Sequence, residues 1–395
     1  MRVPLLDLSE QYSNLAEPIR KRLDEVLASQ RFILGPNVSR FEEAIRQFTG
    51  AANAIGVSSG TDALLAVFMA LGIGPGDAIL TTPYSFFATA GCVARVGARP
   101  LFVDIDPTTC NISADALKKF LREECQRQGK EVVHGKTGSR VCAIVPVHLF
   151  GLCCDMDAID RLAREYDLPL IEDAAQAIGA QCVVSSEVKQ AGTIGLCGCF
   201  SFYPSKNLGA AGDAGLITCQ DLTLAERIRI CRDHGMQPRY YHQFVGGNFR
   251  LDEIQAAILD VKLLHLSAWS AARRAAADFY SSEFKRAGLT KTVTLPAEPY
   301  RGKVESHHIY HQYVIRAPRR DALREHLEKR GIGSAIYYPV GLHEQECFAS
   351  LAYKRGDFPE TERAAEATLA LPIYPEISRE AQTYVVNAIA EFLNR

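Results

Sequence analysis

The sequence lacks the features that would assign it to a membrane, secreted or nucleic-acid-binding class. No apolar run approaches the roughly 20 residues that a membrane-spanning helix needs. The stretch from Met1 to Asp7 has neither the apolar core nor the small-residue cleavage site of a signal peptide. A formal net charge of -2 gives no general attraction to nucleic acid or to an anionic membrane. We therefore expect a cytoplasmic protein whose partners are neither membranes nor nucleic acids.

The 12 cysteines form no metal-binding pattern. Cys153 and Cys154 are adjacent, Cys197 and Cys199 flank one residue, and no Cys-x-x-Cys pair occurs. Structural zinc sites take four ligands at recurring spacings, so the sequence predicts no metal site. Redox-active pairing stays open as an alternative, but reduced and mostly buried thiols fit the scattered pattern better.

The length and the apolar pattern predict an α/β fold. The chain has 395 residues, of which 47% are hydrophobic and 23% charged, which is typical of a globular protein with room for two domains. After predicted helices near residues 11–29 and 37–48, short apolar runs alternate with helical patterns. This alternation is typical of a mostly parallel sheet covered by helices on both faces. The predicted strands are 54–57, 78–81, 100–103, 141–147 and 168–171.

The pattern changes after about residue 260. The predicted elements there are one long helix from 251 towards 280, a strand at 310–315 and helices at 322–329 and 379–393. We expect a large α/β domain over residues 1–260 and a smaller α+β domain over residues 261–395. The polar stretch 122–140 interrupts the rhythm of the large domain, so it is predicted to be a surface insertion.

One lysine lies just beyond an apolar strand. Phe200 and Phe202 mark a short extended run, and Pro204 ends strand pairing because it has no backbone N–H. Lys206 follows at once. A partly desolvated lysine becomes a nucleophilic amine able to form a Schiff base. The alternative is a loop lysine in water, which is the commoner situation for a single lysine.

Other candidate groups follow strands at the same predicted edge of the sheet, where ligands of open parallel sheets bind. Ser59-Gly60-Thr61 opens a helix, whose free N–H groups and dipole favour a phosphate. Asp173 follows a predicted strand and is suited to holding a pyridine nitrogen protonated. Phe86 has a ring that can stack on a flat ligand.

Each of these groups also has a simpler structural explanation. The Ser59-Gly60-Thr61 loop has the composition of an ordinary helix N-cap. Asp173 can cap a helix over residues 174–178, with Gln176 as its capping-box partner. Phe86 can belong to the core. The functional interpretation gains weight because all of the structural explanations would have to hold together.

Six segments match a known family in order along nearly the whole chain. They are Ser-Gly-Thr-Asp-Ala-Leu (59–64), Thr-Pro-Tyr-Ser-Phe-Phe-Ala-Thr-Ala (82–90), Phe-Val-Asp-Ile-Asp-Pro (102–107), Ile-Glu-Asp-Ala-Ala-Gln-Ala-Ile-Gly-Ala (171–180), Phe-Ser-Phe-Tyr-Pro-Ser-Lys-Asn (200–207) and Gly-Asn-Phe-Arg-Leu (247–251). Together they resemble the sugar aminotransferases of the DegT/StrS family, which use pyridoxal 5′-phosphate and have the aspartate-aminotransferase type of fold.

The resemblance implies a role for each matching residue. Lys206 forms the Schiff base with the cofactor, and Asp173 pairs with its ring nitrogen. Phe86 stacks on the ring and Gln176 lies beside it. The residues implied to hold the cofactor phosphate are Gly60, Thr61, Ser201 and, from the neighbouring subunit of a homodimer, Asn248. Relatives with histidine in place of the lysine are dehydratases, so Lys206 favours transamination.

The resemblance also implies the substrates. Glutamate is expected as the amino donor and a nucleotide-linked keto-sugar as the acceptor. The segment 308–313, His-Ile-Tyr-His-Gln-Tyr, is similar to relatives that aminate the 3-position of the sugar. Open alternatives are a 4-keto-6-deoxy nucleotide sugar, a free keto-cyclitol and, more remotely, a non-catalytic regulatory protein that binds the cofactor. The stretch 122–140 departs from the family pattern and is expected near the substrate mouth.

Overall fold

A computed structural model describes residues 1–394 of the chain. Its helices are α1 Ser9–Ser29, α2 Pro36–Thr49, α3 Gly60–Ala70, α4 Ala88–Arg95, α5 Ala114–Glu123, α6 Met156–Tyr166, α7 Leu222–Arg232, α8 Glu253–Leu263, α9 Leu266–Arg286, α10 Arg320–Lys329, α11 Pro359–Ala367 and α12 Arg379–Leu393. Its strands are β1 Asn53–Val57, β2 Asp77–Thr81, β3 Arg99–Phe102, β4 Cys125–Gln128, β5 Glu131–His134, β6 Arg140–Ile144, β7 Ile171–Asp173, β8 Gln181–Val184, β9 Glu187–Gln190, β10 Cys197–Ser201, β11 Gly215–Cys219, β12 Tyr313–Arg316 and β13 Thr368–Leu371.

A mostly parallel sheet forms the centre of the molecule. Hydrogen bonds join β1-β11-β10-β7 on one side and β3-β2-β6 on the other. Parallel bridges from Ile144 to Leu170 and from Val147 to Asp173 connect β6 to β7. The continuous order is therefore β1-β11-β10-β7-β6-β2-β3, in which β11 runs against the other strands. The predicted α/β class is confirmed.

Alternating side chains of the strands build a core on each face of this sheet. Ile55 and Val57 point into one cluster, whereas Ala54, the residue before Ile55, belongs to the other. The same alternation separates Ile79 from Leu80. Successive side chains of a strand point to opposite faces, so a strand buried on both sides must be apolar throughout. This is why the strands were visible as continuous apolar runs in the sequence.

The polar stretch 122–140 forms part of the sheet and not a free insertion. It folds as the hairpin β4–β5, and Val132 and Val133 of β5 pair with the first residues of β6. The parallel strands end at the opposite edge, where Val147 meets Asp173. The expectation that this stretch lies near the substrate mouth is therefore wrong. A polar stretch can form this hairpin because the hydrogen bonds between strands are made by backbone groups, which polar and apolar residues share.

The long helix predicted from residue 251 is two helices. α8 ends at Leu263 and α9 begins at Leu266, so the axis breaks at residues 264–265. The apolar period continues across the break, which is why the sequence suggested one helix. The described helices include none that is long and apolar enough to cross a membrane.

A second core lies in the C-terminal part of the chain. Tyr280, Tyr313 and Val385 belong to it, and Val3 joins from the N-terminus. In contrast, Phe348 packs against Phe102 of the large sheet. The division of the chain after residue 260 stays a prediction. The 12 cysteines are free thiols, and all except Cys142 and Cys347 are buried.

Candidate active site

The loop after β10 holds Lys206 in a fixed position. The Lys206 amide donates to the carbonyl of Tyr203 at 2.8 Å, and the Ala210 amide donates to the carbonyl of Phe202 at 2.8 Å. The lysine side chain is half-buried. Burial lowers its pKa to about 8, and the nearby Asp173 carboxylate opposes that shift. The alternative of a loop lysine in water does not describe this amine.

Asp173 is the last residue of β7, and its carboxylate is buried with 6% exposure. Thr89 Oγ1 donates to Oδ2 at 2.7 Å, and the Ala175 amide donates to Oδ1 at 3.2 Å. Burial raises the pKa of Asp173, while these two donors and the charge of Lys206 lower it. Residues 174–180 form turns and no helix, so Asp173 is not a helix N-cap.

Asp173 has no ion-pair partner within residues 1–394 at salt-bridge distance. The Lys206 amine lies close enough for its charge to act on Asp173 without forming an ion pair with it. A buried carboxylate without a contacting cation is costly unless a cation is supplied. The protonated ring nitrogen of pyridoxal phosphate is such a cation, so the residues present fit that cofactor.

Gln176 connects the two parts of the molecule. Its Oε1 accepts from the Phe150 amide at 2.7 Å, and its Nε2 donates to Tyr338 Oη at 3.2 Å. These bonds exclude the capping-box role. Tyr338 comes from the C-terminal part of the chain, so this glutamine ties that part to the end of the central sheet.

The loop at the start of α3 has the geometry that anion binding requires. Ser59 is the N-cap, and its Oγ accepts from the Asp62 amide at 3.0 Å. The amides of Gly60 and Thr61 lie in the first turn, where N–H groups have no intrahelical acceptor. A Cβ on Gly60 would lie 2.7 Å from the Cβ of Ser201. The structure thus brings the three predicted phosphate residues together, and glycine is required for that approach.

Phe86 and Asn248 both lie at the surface of the single chain. Phe86 is 58% exposed, so its alternative assignment to the core is wrong. Its ring centroid lies 6.3 Å from that of Tyr338. Asn248 is exposed beside Phe249, whose carbonyl accepts from the Ser58 amide at 2.9 Å. Whether Asn248 serves a neighbouring subunit stays a prediction.

Two features of the site were missed by the sequence analysis. Thr89 contacts Asp173 although 84 positions separate the two residues. Glu172 and His148 form a completely buried pair, with His148 Nε2 at 2.8 Å from Glu172 Oε2. Nothing in a single sequence signals a contact between positions so far apart. Only the strand assignment, which places residues 148 and 172 near the same sheet edge, hinted at the second pair.

The fold and the paired amine and acid define a pyridoxal phosphate-dependent aminotransferase, and comparison with known proteins agrees. A sequence profile of the DegT/DnrJ/EryC1/StrS aminotransferase family matches residues 13–390. The chain is 46% identical over 392 residues to a "pleiotropic regulatory protein" of Geobacillus stearothermophilus, covering 99% of each. It is 38% identical to a UDP-N-acetyl-3-dehydro-alpha-D-glucosamine 3-aminotransferase of Acidithiobacillus ferrooxidans, covering 99% of this chain and 98% of the relative.

A solved structure extends the similarity to three dimensions. The crystal structure of S. venezuelae DesV in complex with a ketimine intermediate superposes with a TM-score of 0.88 at 36% identity, covering 100% of this chain and 99% of the other. The chain belongs to the DegT/DnrJ/EryC1/StrS aminotransferase family. Its cofactor is pyridoxal 5′-phosphate.

Proposed function

We propose that the chain transfers the amino group of glutamate to the 3-keto position of a nucleotide-linked sugar. The observation that supports transamination most strongly is the half-buried Lys206 amine facing a buried Asp173 carboxylate that has no contacting cation among the described residues. The position of amination is supported by the name of the Acidithiobacillus relative, a 3-aminotransferase acting on a UDP-linked 3-dehydro sugar.

The residues of the site divide the work among themselves. Bound pyridoxal phosphate supplies an electron-withdrawing ring that stabilises a carbanion. Asp173 holds the proton on the ring nitrogen through an ion pair. Lys206 Nζ takes the proton from the α-carbon of the donor and acts as base and then acid. With a pKa of about 8, an appreciable fraction of this amine is unprotonated near neutral pH. Gly60, Thr61 and Ser201 hold the phosphate, and Phe86 and Gln176 flank the ring.

The segment 308–313 supports the 3-keto assignment only through resemblance, because all four of its rings are buried. The His308 ring stacks on Tyr310 at 3.9 Å between centroids. The Tyr310 hydroxyl and His307 both contact the Glu298 carboxylate. His311 lies closer to the reacting groups, since its Nδ1 is 3.2 Å from Oδ1 of Asn207, the neighbour of Lys206. The rings of His308, Tyr310 and Tyr313 are buried in the protein interior and stabilise the fold.

Of the three arginines between residues 232 and 250, which could meet a diphosphate, two already have carboxylate partners. Arg232 is buried and bonds Glu42 at 2.6 Å. Arg250 bonds Asp233 at 2.5 Å. Arg239 is exposed and lies over the ring of Tyr240. A nucleotide therefore needs contacts other than Arg232 and Arg250.

The acceptor is tested by incubating the purified enzyme with glutamate and separate 3-keto and 4-keto nucleotide sugars. We expect the amino sugar to form from the 3-keto substrate, detected by mass spectrometry. Exclusive use of the 4-keto substrate would overturn the assignment. A free keto-cyclitol as acceptor is distinguished by adding a nucleoside diphosphate, which should inhibit an enzyme that recognises the nucleotide and leave the other unaffected.

We further propose that the active enzyme is a homodimer in which Asn248 completes the partner's phosphate site. Its exposure in the single chain supports this proposal. Lys206→Met and Asn248→Ala proteins, each inactive or nearly so alone, should recover activity when mixed and allowed to exchange subunits. One of the two sites in the mixed dimer then has both residues intact. No recovery despite proven exchange would mean that Asn248 acts within its own chain.

A regulatory role is the second candidate, favoured by the name of the Geobacillus relative. The amine and acid required for catalysis are both present here, so the enzyme assignment stands. A yellow protein whose visible absorbance is bleached by glutamate would show that the first half-reaction occurs. A protein that binds the cofactor and never reacts with any amino donor would favour the regulatory candidate.

A further inference from the structure

Thr89 lies at the start of α4, in the connection between β2 and β3, and its side chain contacts Asp173. Its side chain is fully buried. Its Oγ1 donates to Asp173 Oδ2 at 2.7 Å, and Ser85 Oγ lies 2.8 Å from Thr89 Oγ1. A hydroxyl has one proton, so a Thr89 that donates to the carboxylate must accept from Ser85. The two hydroxyls therefore form a directed chain that ends on the carboxylate.

This chain acts on a carboxylate with little other support. Oδ1 of Asp173 accepts from the Ala175 amide at 3.2 Å, which is longer than the bond from Thr89. Burial raises the pKa of Asp173, and the hydrogen bond from Thr89 is the largest influence in the opposite direction. A hydrogen bond to a buried ionised group is worth more than one between neutral groups.

Other groups near Asp173 do not replace this donor. Lys206 acts on it through its charge alone. The thiols of Cys92 and Cys199 are buried beside it, and burial raises their pKa values, so they remain neutral. The orientation of the carboxylate therefore depends on Thr89 and on one backbone amide.

We propose that Thr89 is a positioning residue that aims the Asp173 carboxylate at the ring nitrogen of the cofactor, with Ser85 orienting the Thr89 hydroxyl. The inference rests on the proposed role of Asp173. Thr89 itself touches neither substrate nor cofactor in this account, because its hydroxyl is occupied by the carboxylate. Its effect is confined to interactions made through the ring nitrogen.

The test compares two ligands that differ at this nitrogen alone: pyridoxal 5′-phosphate and its 1-deaza analogue, in which carbon replaces the ring nitrogen. Dissociation constants are measured by fluorescence titration of cofactor-free protein. Thr89→Val should weaken binding of pyridoxal phosphate about tenfold to a hundredfold and change that of the analogue less than about twofold. Thr89→Ser, which restores the hydroxyl, should recover most of the loss.

The matched control is Thr81→Val. Thr81 is equally buried, but its hydroxyl donates to the carbonyl of Val145 at 2.8 Å, away from Asp173. This variant should leave both dissociation constants unchanged. Equal losses for both ligands in Thr89→Val, or no loss for either, would overturn the inference.

Two further variants keep the result interpretable. Ser85→Ala retains Thr89 and should weaken binding of pyridoxal phosphate alone, by about threefold. An unchanged dissociation constant of pyridoxal phosphate in Ser85→Ala would contradict the role of Ser85. This outcome can be measured even if Thr89→Val does not fold. Asp173→Asn should remove the difference between the two ligands. If the two ligands still differ in Asp173→Asn, the proposed role of Asp173 fails. If Asp173→Asn removes the difference but Thr89→Val leaves both dissociation constants unchanged, only the role of Thr89 is rejected.

Discussion

Two neighbouring carboxylates, Glu172 and Asp173, lie on opposite faces of β7 and are both buried. Glu172 accepts hydrogen bonds from the amides of Gly192, Ile194 and Gly195 at 2.6–2.7 Å and contacts His148. Asp173, on the other face, accepts from Thr89 and Ala175. One acid is surrounded by four donors and the other by two.

The difference separates a structural acid from a functional one. An ionised carboxylate has about four lone-pair positions. Glu172 uses all of them within the protein, and the histidine orients its Nε2–H towards Glu172 because Nδ1 accepts from the Cys154 amide. Asp173 keeps acceptor capacity free for a cation from outside the chain. Burial alone does not identify an active-site acid; unused hydrogen-bonding capacity does.

The largest expected effect concerns two lysines near the same loop, the half-buried Lys206 and the buried Lys262. Lys206→Met should lower the rate of transamination by about 10⁴-fold, because the base that moves the donor proton is lost. Lys262 is the matched control: burial also lowers its pKa to about 8, but its Nζ donates to the Gly209 carbonyl at 2.5 Å and forms no ion pair with a carboxylate of residues 1–394. Lys262→Met should keep the rate within about tenfold in a coupled transaminase assay. Comparable losses in both variants would show that burial, and not the facing acid, decides the role.

The acids themselves are compared through activity and stability. Asp173→Asn should reduce kcat/KM by about 10²- to 10³-fold. It should not destabilise cofactor-free protein, because the raised pKa of Asp173 means that its charge already costs stability at neutral pH. Glu172→Gln should lower the free energy of unfolding by about 3 kcal/mol, because the amide cannot accept from all four donors.

These outcomes are measured by steady-state kinetics and by urea unfolding of the cofactor-free proteins. The assignment of the two faces is reversed if Glu172→Gln is as stable as the parent protein but inactive while Asp173→Asn is unstable.

Stability should also depend on pH through Lys262. The folded protein disfavours the protonated amine, so between about pH 8 and the ordinary lysine pKa of 10.5 the unfolded chain binds more protons. The contribution of Lys262 to stability therefore rises with pH in that window, by about 2 kcal/mol between pH 8 and 10. Urea unfolding at both pH values should show a smaller rise for Lys262→Met. Equal rises in the two proteins would contradict the buried, uncompensated amine.

Much of the site followed from the sequence because strand ends are visible there. The apolar strands and Pro204 located Lys206, Asp173 and the Gly60 loop at one edge of the sheet. The contrast between Glu172 and Asp173 was not visible, since it depends on amides 20 to 23 positions away along the chain. Thr89 was missed for the same reason. β7 lies later than predicted because Asp173 itself pairs with Val147 through backbone bonds that no side-chain pattern reveals.

The smallest expected effect concerns two adjacent phenylalanines beyond the end of β2. Phe86→Leu should weaken binding of pyridoxal phosphate about 2- to 10-fold, because an aromatic stacking pair is worth about 0.5–1.5 kcal/mol. Phe87→Leu is the control, since the Phe87 ring, although 46% exposed, stacks on Phe348 with 5.6 Å between the ring centroids. Fluorescence titration should show an unchanged constant for Phe87→Leu. A loss in that variant as large as in Phe86→Leu would remove Phe86 from the ring site.

The central claim is that Lys206 is the amine that faces Asp173 across the cofactor. Borohydride reduction of the holoenzyme, followed by proteolysis and peptide mass spectrometry, tests it directly because the reduced cofactor stays attached to its lysine. We predict the added pyridoxyl mass on the peptide that contains Lys206. Attachment to Lys262 or to any other lysine, with Lys206 unmodified, would contradict the account.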